Sequence, residues 1–229
     1  MQAILIAPDG EEREFLSYTL RQMGLTVHGL AGVDTAVTTL SQKTVDLILL
    51  APNQTDSPLA DVKALRAVSQ ASLLLLADWL TEGDHCDVLD AGVDLVLQRP
   101  VSPRILSRYT RIFLRRGGSI PVGLLSPVQI GLVQLDPNTR TVTTPHLGAK
   151  RLTPLEFRLL YLLMSNPGQV IPLETIIERV WGYSGDGNRE LVRGLVRRLR
   201  RKIEPDPSHP QYIFNHPGLG YQFKDLTGF

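Results

Sequence analysis

Short apolar runs alternate with amphipathic stretches along the first half of the chain. AILIA (3–7) reads as a buried strand, and residues 11–23 follow as a helix with Phe15, Leu16, Leu20 and Met23 on one side. LTVHGL (25–30), DLILLA (46–51), SLLLLA (72–77) and residues 94–98 predict four more strands. Helices are predicted between them over 33–40, 59–68 and 83–90, and a last one over 103–116. Strands that are apolar on both faces, alternating with helices, imply a parallel sheet covered on both sides. The expectation for residues 1–116 is a doubly wound (βα)5 domain of the α/β class.

The rhythm changes after GGSIPVGLLSP (117–127), an uncharged stretch with three glycines and two prolines that reads as a linker. Strand-like pieces at 128–135 and 141–144 flank an Asp136-Pro137-Asn138 turn, and PHLGAK (145–150) reads as a further turn. Thr153-Pro154-Leu155-Glu156 opens a helix by three rules: Thr caps, Pro suits the first helical position, and Glu completes a capping box. Phe157, Leu159, Leu160, Leu162 and Leu163 face a core until Asn166-Pro167-Gly168 ends the helix. A second helix over 173–180 stops at Trp181-Gly182, and the polar loop YSGDGN (183–188) leads to RELVRGLVRRLRRKI (189–203). After an EPDPSHP turn, QYIF (211–214) and GYQF (220–223) flank HPGL as a hairpin. Residues 128–229 therefore predict an α+β domain.

The segment 189–203 changes the functional picture. Val192, Val196, Leu199 and Ile203 recur at helical spacing, while Arg193, Arg197, Arg200 and Arg201 fall largely away from that face. The segment holds seven Arg or Lys residues and one Glu. Such a helix can dock on a core and offer its charge to a polyanion; duplex DNA supplies dense phosphate charge and a groove that admits a helix. The competing reading is a solvated basic face. The net charge of +1 conceals an asymmetry that favours DNA: residues 1–120 hold 11 basic and 14 acidic side chains, residues 121–229 hold 13 and 9.

Other classes find little support. Cys86 is the single cysteine, which excludes an intramolecular disulfide and a cysteine-based zinc site; it reads as a small packed residue of a helix. The apolar runs fall far short of the roughly 18–20 residues that span a bilayer, and ILIA is too short for a signal peptide, so a soluble, cytoplasmic protein is expected. No Ser/His/Asp set, metal-ligand cluster, Walker loop or GxGxxG stands out, and neither an enzymatic activity nor a cofactor is expected.

ILIAPDG at the first strand, DLILLAP at the third and GVDLVLQRPV (92–101) at the fifth resemble the receiver domain of bacterial response regulators, a flavodoxin-like fold, over the whole first half. In that family two acidic residues at the end of strand one hold Mg²⁺, an Asp ends strand three as phosphoacceptor, a Thr or Ser ends strand four, and Lys-Pro ends strand five. This chain places Pro8-Asp9, Ala51, Ala77 and Arg99-Pro100 there. Alanine has no nucleophilic oxygen, and one carboxylate beside a proline makes a poor Mg²⁺ site, so the resemblance implies a degenerate receiver. Asp9 with Glu12 three residues on also fits an N-cap with a capping box. Arg99 is expected to meet a partner such as Asp9 across the strand ends. Asp56, after strand three, reads as a surface loop residue. Receiver dimers in the family form through the fourth helix, fifth strand and fifth helix, where Asp94 and Arg111 occupy matching positions and could pair between subunits.

The order LTPLEFRLL, ERVWGY, RRLRRKIEPDP and GLGYQF closely resembles the OmpR/PhoB-type winged helix-turn-helix effector domain over about residues 128–225. The resemblance implies that 189–203 enters the major groove, that the hairpin wing touches the neighbouring minor groove, and that the preceding loop contacts RNA polymerase. Arg193, Arg197 and Arg200 match DNA-contacting positions; Arg193 stands where members usually carry Asp, so sequence preference should differ. Arg198 and Arg201 are expected on phosphates, setting register. Gly194 reads as lying on the exposed side, where the DNA backbone could approach closely. Pro217 replaces the wing's usual Arg, leaving His216 as a weak substitute, and Gly218 and Gly220 are assigned to the wing turn. Trp181 and Tyr183 read as core or loop anchors.

The function expected is a DNA-binding transcription regulator, acting as a homodimer on double-stranded DNA without phosphorylation at the usual position. An alternative keeps the DNA binding and makes the first half a sensor of a small ligand or protein partner. A third, a scaffold that has lost DNA binding, sits poorly with the retained arginines.

Overall fold

A computed structural model describes residues 1–53, 57–114, 125–182 and 189–224; Asp56, Tyr183 and most of the 117–127 stretch lie outside the described residues. The chain divides into two compact units, Met1–Leu114 and Arg115–Phe229. Among the described residues no helix is long and apolar enough to cross a membrane.

The first unit runs β1 (Gln2–Ile6), α1 (Gly10–Arg21), β2 (Thr26–Leu30), α2 (Val33–Gln42), β3 (Leu47–Leu50), α3 (Pro58–Val68), β4 (Ser72–Ala77), α4 (Glu82–Ala91), β5 (Leu95–Gln98) and α5 (Pro103–Leu114). The five strands are parallel in the order β2-β1-β3-β4-β5. β3 and β4 are buried at every position and β1 at all but Gln2, as unbroken Leu/Ile runs require in a sheet covered on both faces. Strand order reverses between β1 and β3, which opens a crevice at the carboxyl ends of those strands.

Asp94 does not serve the role expected of it. It is 1% exposed, accepts from the Leu73 backbone N–H at 2.9 Å and pairs with Arg66 of α3 at 3.0 Å. Arg66 also donates to the Gly92 carbonyl, at 2.9 and 2.8 Å. The carboxylate is thus engaged inside its own unit, tying α3 to β4 and β5, and is not presented to a second subunit. Arg111, on α5, is exposed.

The second unit opens with an antiparallel meander: β6 (Val128–Ile130), β7 (Val133–Asp136), β8 (Thr141–Thr144) and β9 (Gly148–Arg151). β9 stands where a turn was expected. Gly148, at φ 65°, lets the chain reverse early enough for 148–151 to pair with β8, and because all four residues are exposed the strand carries no apolar alternation. Then come α6 (Pro154–Met164), β10 (Val170–Pro172), α7 (Leu173–Trp181), α8 (Arg189–Ile203) and the hairpin β11 (Ile213–His216) and β12 (Gly220–Phe223). The three helices pack on one another around Leu159, Leu163, Ile176, Trp181, Leu195 and Leu199, each at 1% exposure or less.

β10, too short to show a period, pairs with β12 and completes a sheet of order β10-β12-β11. This closeness corrects the role of Gly220. A Cβ there would stand 1.9 Å from the Ile171 carbonyl oxygen, so strand approach demands the glycine, while the turn's left-handed residue is Gly218 at φ 77°. Three helices, a preceding meander and a C-terminal hairpin constitute a winged helix, and the first unit is a receiver-like α/β domain.

Candidate nucleic-acid interface

α8 has a buried side and a cationic side. Leu191, Val192, Leu195, Val196, Leu199 and Ile203 are buried, whereas Arg189, Arg193, Arg197 and Arg201 are exposed. Those four arginines recur every fourth residue and form one stripe. Like charges at that spacing cost a helix a few tenths of a kcal/mol per pair, a cost that a bound polyanion would reverse. Arg189 is the member that the sequence reading missed, although its spacing from Arg193 was there to find it. Arg193 is 67% exposed and pairs through Nη1 with Glu190 Oε1 at 2.9 Å.

Three residues of α8 assigned to DNA contact lie elsewhere. Gly194 is buried, not on the open side. Arg198 is 7% exposed and lies within charge range of Glu156 on α6, so it cannot grip phosphates as expected. Both are buried, which makes the covered side of α8 wider than the apolar stripe alone. Arg200 is half-buried, and its Nη2 donates to the Ile213 carbonyl at 2.8 Å, fastening the hairpin to α8. Arg201 is exposed as expected.

Glu156 links α6 to the basic helix. Its Oε2 accepts from the Thr153 backbone N–H at 2.8 Å, which closes the capping box, and from Lys202 Nζ at 2.7 Å. Burial opposes ionisation of this carboxylate, but the charges of Lys202 and Arg198 and the hydrogen bonds outweigh it, holding its pKa below the ordinary glutamate range. The sign of the linkage follows. Stability from Glu156 is fully present above the unfolded value of about 4.3 and is lost as pH falls through the lower folded value. Glu156→Gln should flatten the acid limb of the effector unit's melting temperature below about pH 5, read by circular dichroism against pH. An unchanged acid limb would remove Glu156 from that account.

The sequence places Glu204, immediately after α8, at the start of the EPDPSHP turn. It is 1% exposed, and its carboxylate accepts from the backbone N–H groups of Gln211, Tyr212 and Ile213 at 2.7–3.1 Å. It organises the descent from the helix into the wing. Tyr221 of β12 is buried, which pushes its hydroxyl pKa up, and it lies within charge range of Arg200, Arg193 and Glu190. His216 does not project as a wing finger. It is half-buried, with Nε2 donating to Gln222 Oε1 at 2.8 Å, while the Gln222 amide bonds the Gly168 carbonyl.

At the strand ends of the first unit, Ala51 is 1% and Ala77 5% exposed, and Pro8 and Asp9 are exposed. Asp9 caps α1 by accepting from the Glu12 N–H at 2.7 Å. The Glu12 side chain does not return to complete a box; it takes Arg99 in a two-point contact at 2.7 and 2.9 Å. Arg99 also reaches Asp78 at 3.2 Å and the Pro52 carbonyl at 3.0 Å. Its partners are therefore Glu12 and Asp78, not Asp9, because the cap already uses Asp9 and the first turn of α1 aims Glu12 at the sheet end. Burial weakens the guanidinium's hold on its proton, but the two carboxylates outweigh it and hold the pKa above the ordinary arginine value. The Arg99–Pro100 peptide is cis.

Comparison with known proteins agrees with this architecture. Residues 148–223 match the family model "Transcriptional regulatory protein, C terminal". The DNA-binding response regulator MtrA of Mycolicibacterium smegmatis is 34% identical over 226 residues, covering 96% of each chain. The KDP operon transcriptional regulatory protein KdpE of Escherichia coli is 30% identical over 231 residues, covering 97% of this chain and 99% of its own. Among solved structures, a RitR mutant has the same fold, with a TM-score of 0.75 at 21% identity, covering 98% of this chain and 99% of its own.

Proposed function

This chain belongs to the OmpR/PhoB family of DNA-binding response regulators, and on that premise we propose that it regulates transcription without accepting a phosphoryl group at the end of β3. The observation that carries the reading is the pairing of Ala51 with the Arg99 clasp. Ala51 offers a methyl group, which cannot act as a nucleophile. Glu12 and Asp78, two carboxylates beside the strand ends, already hold a guanidinium. A fixed internal cation satisfies charge that would otherwise favour Mg²⁺.

In this reading α8 lies in the major groove. The exposed stripe of Arg189, Arg193, Arg197 and Arg201 meets phosphates and base edges, while Arg198 and Arg200 hold the helix in its unit. The test treats the full chain with acetyl phosphate, and separately with beryllofluoride and Mg²⁺. Operator affinity, sedimentation and intact mass should stay unchanged. A mass gain of one phosphoryl group, or a tenfold rise in affinity on treatment, would restore phosphate control.

A further inference from the structure

Glu190 is the one acidic residue in a helix that carries seven basic ones. It stands in the first turn of α8 and pairs with Arg193, a member of the arginine stripe. Its carboxylate is 35% exposed and holds Arg193, which is 67% exposed, at 2.9 Å. Tyr221, buried on the hairpin, lies within charge range of both residues.

Two physical facts bear on an acid in that position. Phosphates repel it, so it adds nothing to sequence-independent grip. The base edges, however, include donors that only an acceptor can read, and recognition helices present their N-terminal residues to base edges. The major-groove edge of a G·C pair sets guanine O6 and N7 acceptors beside the cytosine N4 donor. An Arg–Glu pair presents the complementary set, donors beside an acceptor, already oriented by its own ion pair.

We infer that Glu190 and Arg193 act as one reading unit for a G·C pair, Arg193 donating to guanine O6/N7 and Glu190 accepting from cytosine N4. Glu190 is then a specificity-determining residue as well as the positioning residue for Arg193. The inference rests on the reading of α8 as the groove-entering helix.

The experiment is selection of binding sites from random duplexes by the full chain, comparing wild type with Glu190→Ala and Glu190→Gln. Thermal melts of all three report folding. For wild type, a motif containing a fixed G·C pair is expected. Glu190→Ala should lower discrimination at that one pair about tenfold to a hundredfold and leave the rest of the motif intact. It should also strengthen binding to unrelated duplex, since a repelled charge is gone. Glu190→Gln should move the preference toward adenine, whose N6 and N7 a carboxamide reads. An unchanged motif in both folded variants overturns the reading unit and leaves Glu190 as a helix-terminal charge that favours the N-terminal dipole. If wild type selects no motif at all, the premise that α8 reads DNA fails instead, a result distinct from the first. Should Glu190→Ala not fold, the near-isosteric Glu190→Gln decides alone.

Discussion

Replacing Arg193 and Arg197 together by alanine is expected to lower affinity for a selected operator about a hundredfold or more. Both side chains are on the open side of α8. Charge-assisted hydrogen bonds are worth roughly 1.5–3 kcal/mol each, so two lost contacts amount to at least a factor of about a hundred. Each arginine that neutralises a phosphate also contributes about 0.9 to the slope of log affinity against log salt, whereas a base contact does not. Fluorescence anisotropy across a sodium chloride series therefore yields the loss and its origin together. Because both residues are exposed, the melting temperature should barely move. Arg200→Ala serves as the contrast: it removes the tether to the Ile213 carbonyl, so its effect should include stability. A double variant that binds the operator as tightly as wild type would dismiss the stripe as the contact surface.

The largest effect on stability is expected at Glu204. Truncation to alanine leaves the N–H groups of Gln211, Tyr212 and Ile213 without their acceptor. Tyr212 and Ile213 are buried, and each unsatisfied buried donor costs about 1–3 kcal/mol. The sum, roughly 4 kcal/mol, is a large fraction of the 5–15 kcal/mol that holds a typical domain. Denaturant unfolding of the full chain, followed at the effector unit's transition, should show that transition moved to much lower denaturant or absent. Glu204→Gln, which retains one carbonyl oxygen, should fall between. A Glu204→Ala protein with wild-type stability would mean that water replaces the carboxylate and that the loop into the wing does not depend on it.

Much of this architecture was legible before any coordinates. The bounds of α8 and β4 coincide with the runs 189–203 and 72–77, because a fifteen-residue amphipathic period and an unbroken aliphatic run are strong local signals. The Thr153 capping box was readable for the same reason. β9 and β10 were not, since four exposed residues and a three-residue strand carry no period. Within α8 the arginines looked alike, yet Arg197 is exposed and its neighbour Arg198 buried. Periodicity located the apolar stripe but could not say that Gly194 and Arg198, beside it, would also be buried.

The amino-acid order alone determined the secondary elements other than β9 and β10, the local surplus of positive charge on one helix and the absence of a side-chain nucleophile at position 51, because these depend on residue type and short-range spacing. Tertiary packing decided where the ionic groups engage. Arg99 meets Glu12 across 87 residues, Lys202 meets Glu156 across 46, and Arg66 takes Asp94 out of reach of any partner chain. A buried or half-buried charge must find a counter-charge or a carbonyl within hydrogen-bond reach. Which one it finds depends on how distant segments are brought together, and no local pattern encodes that.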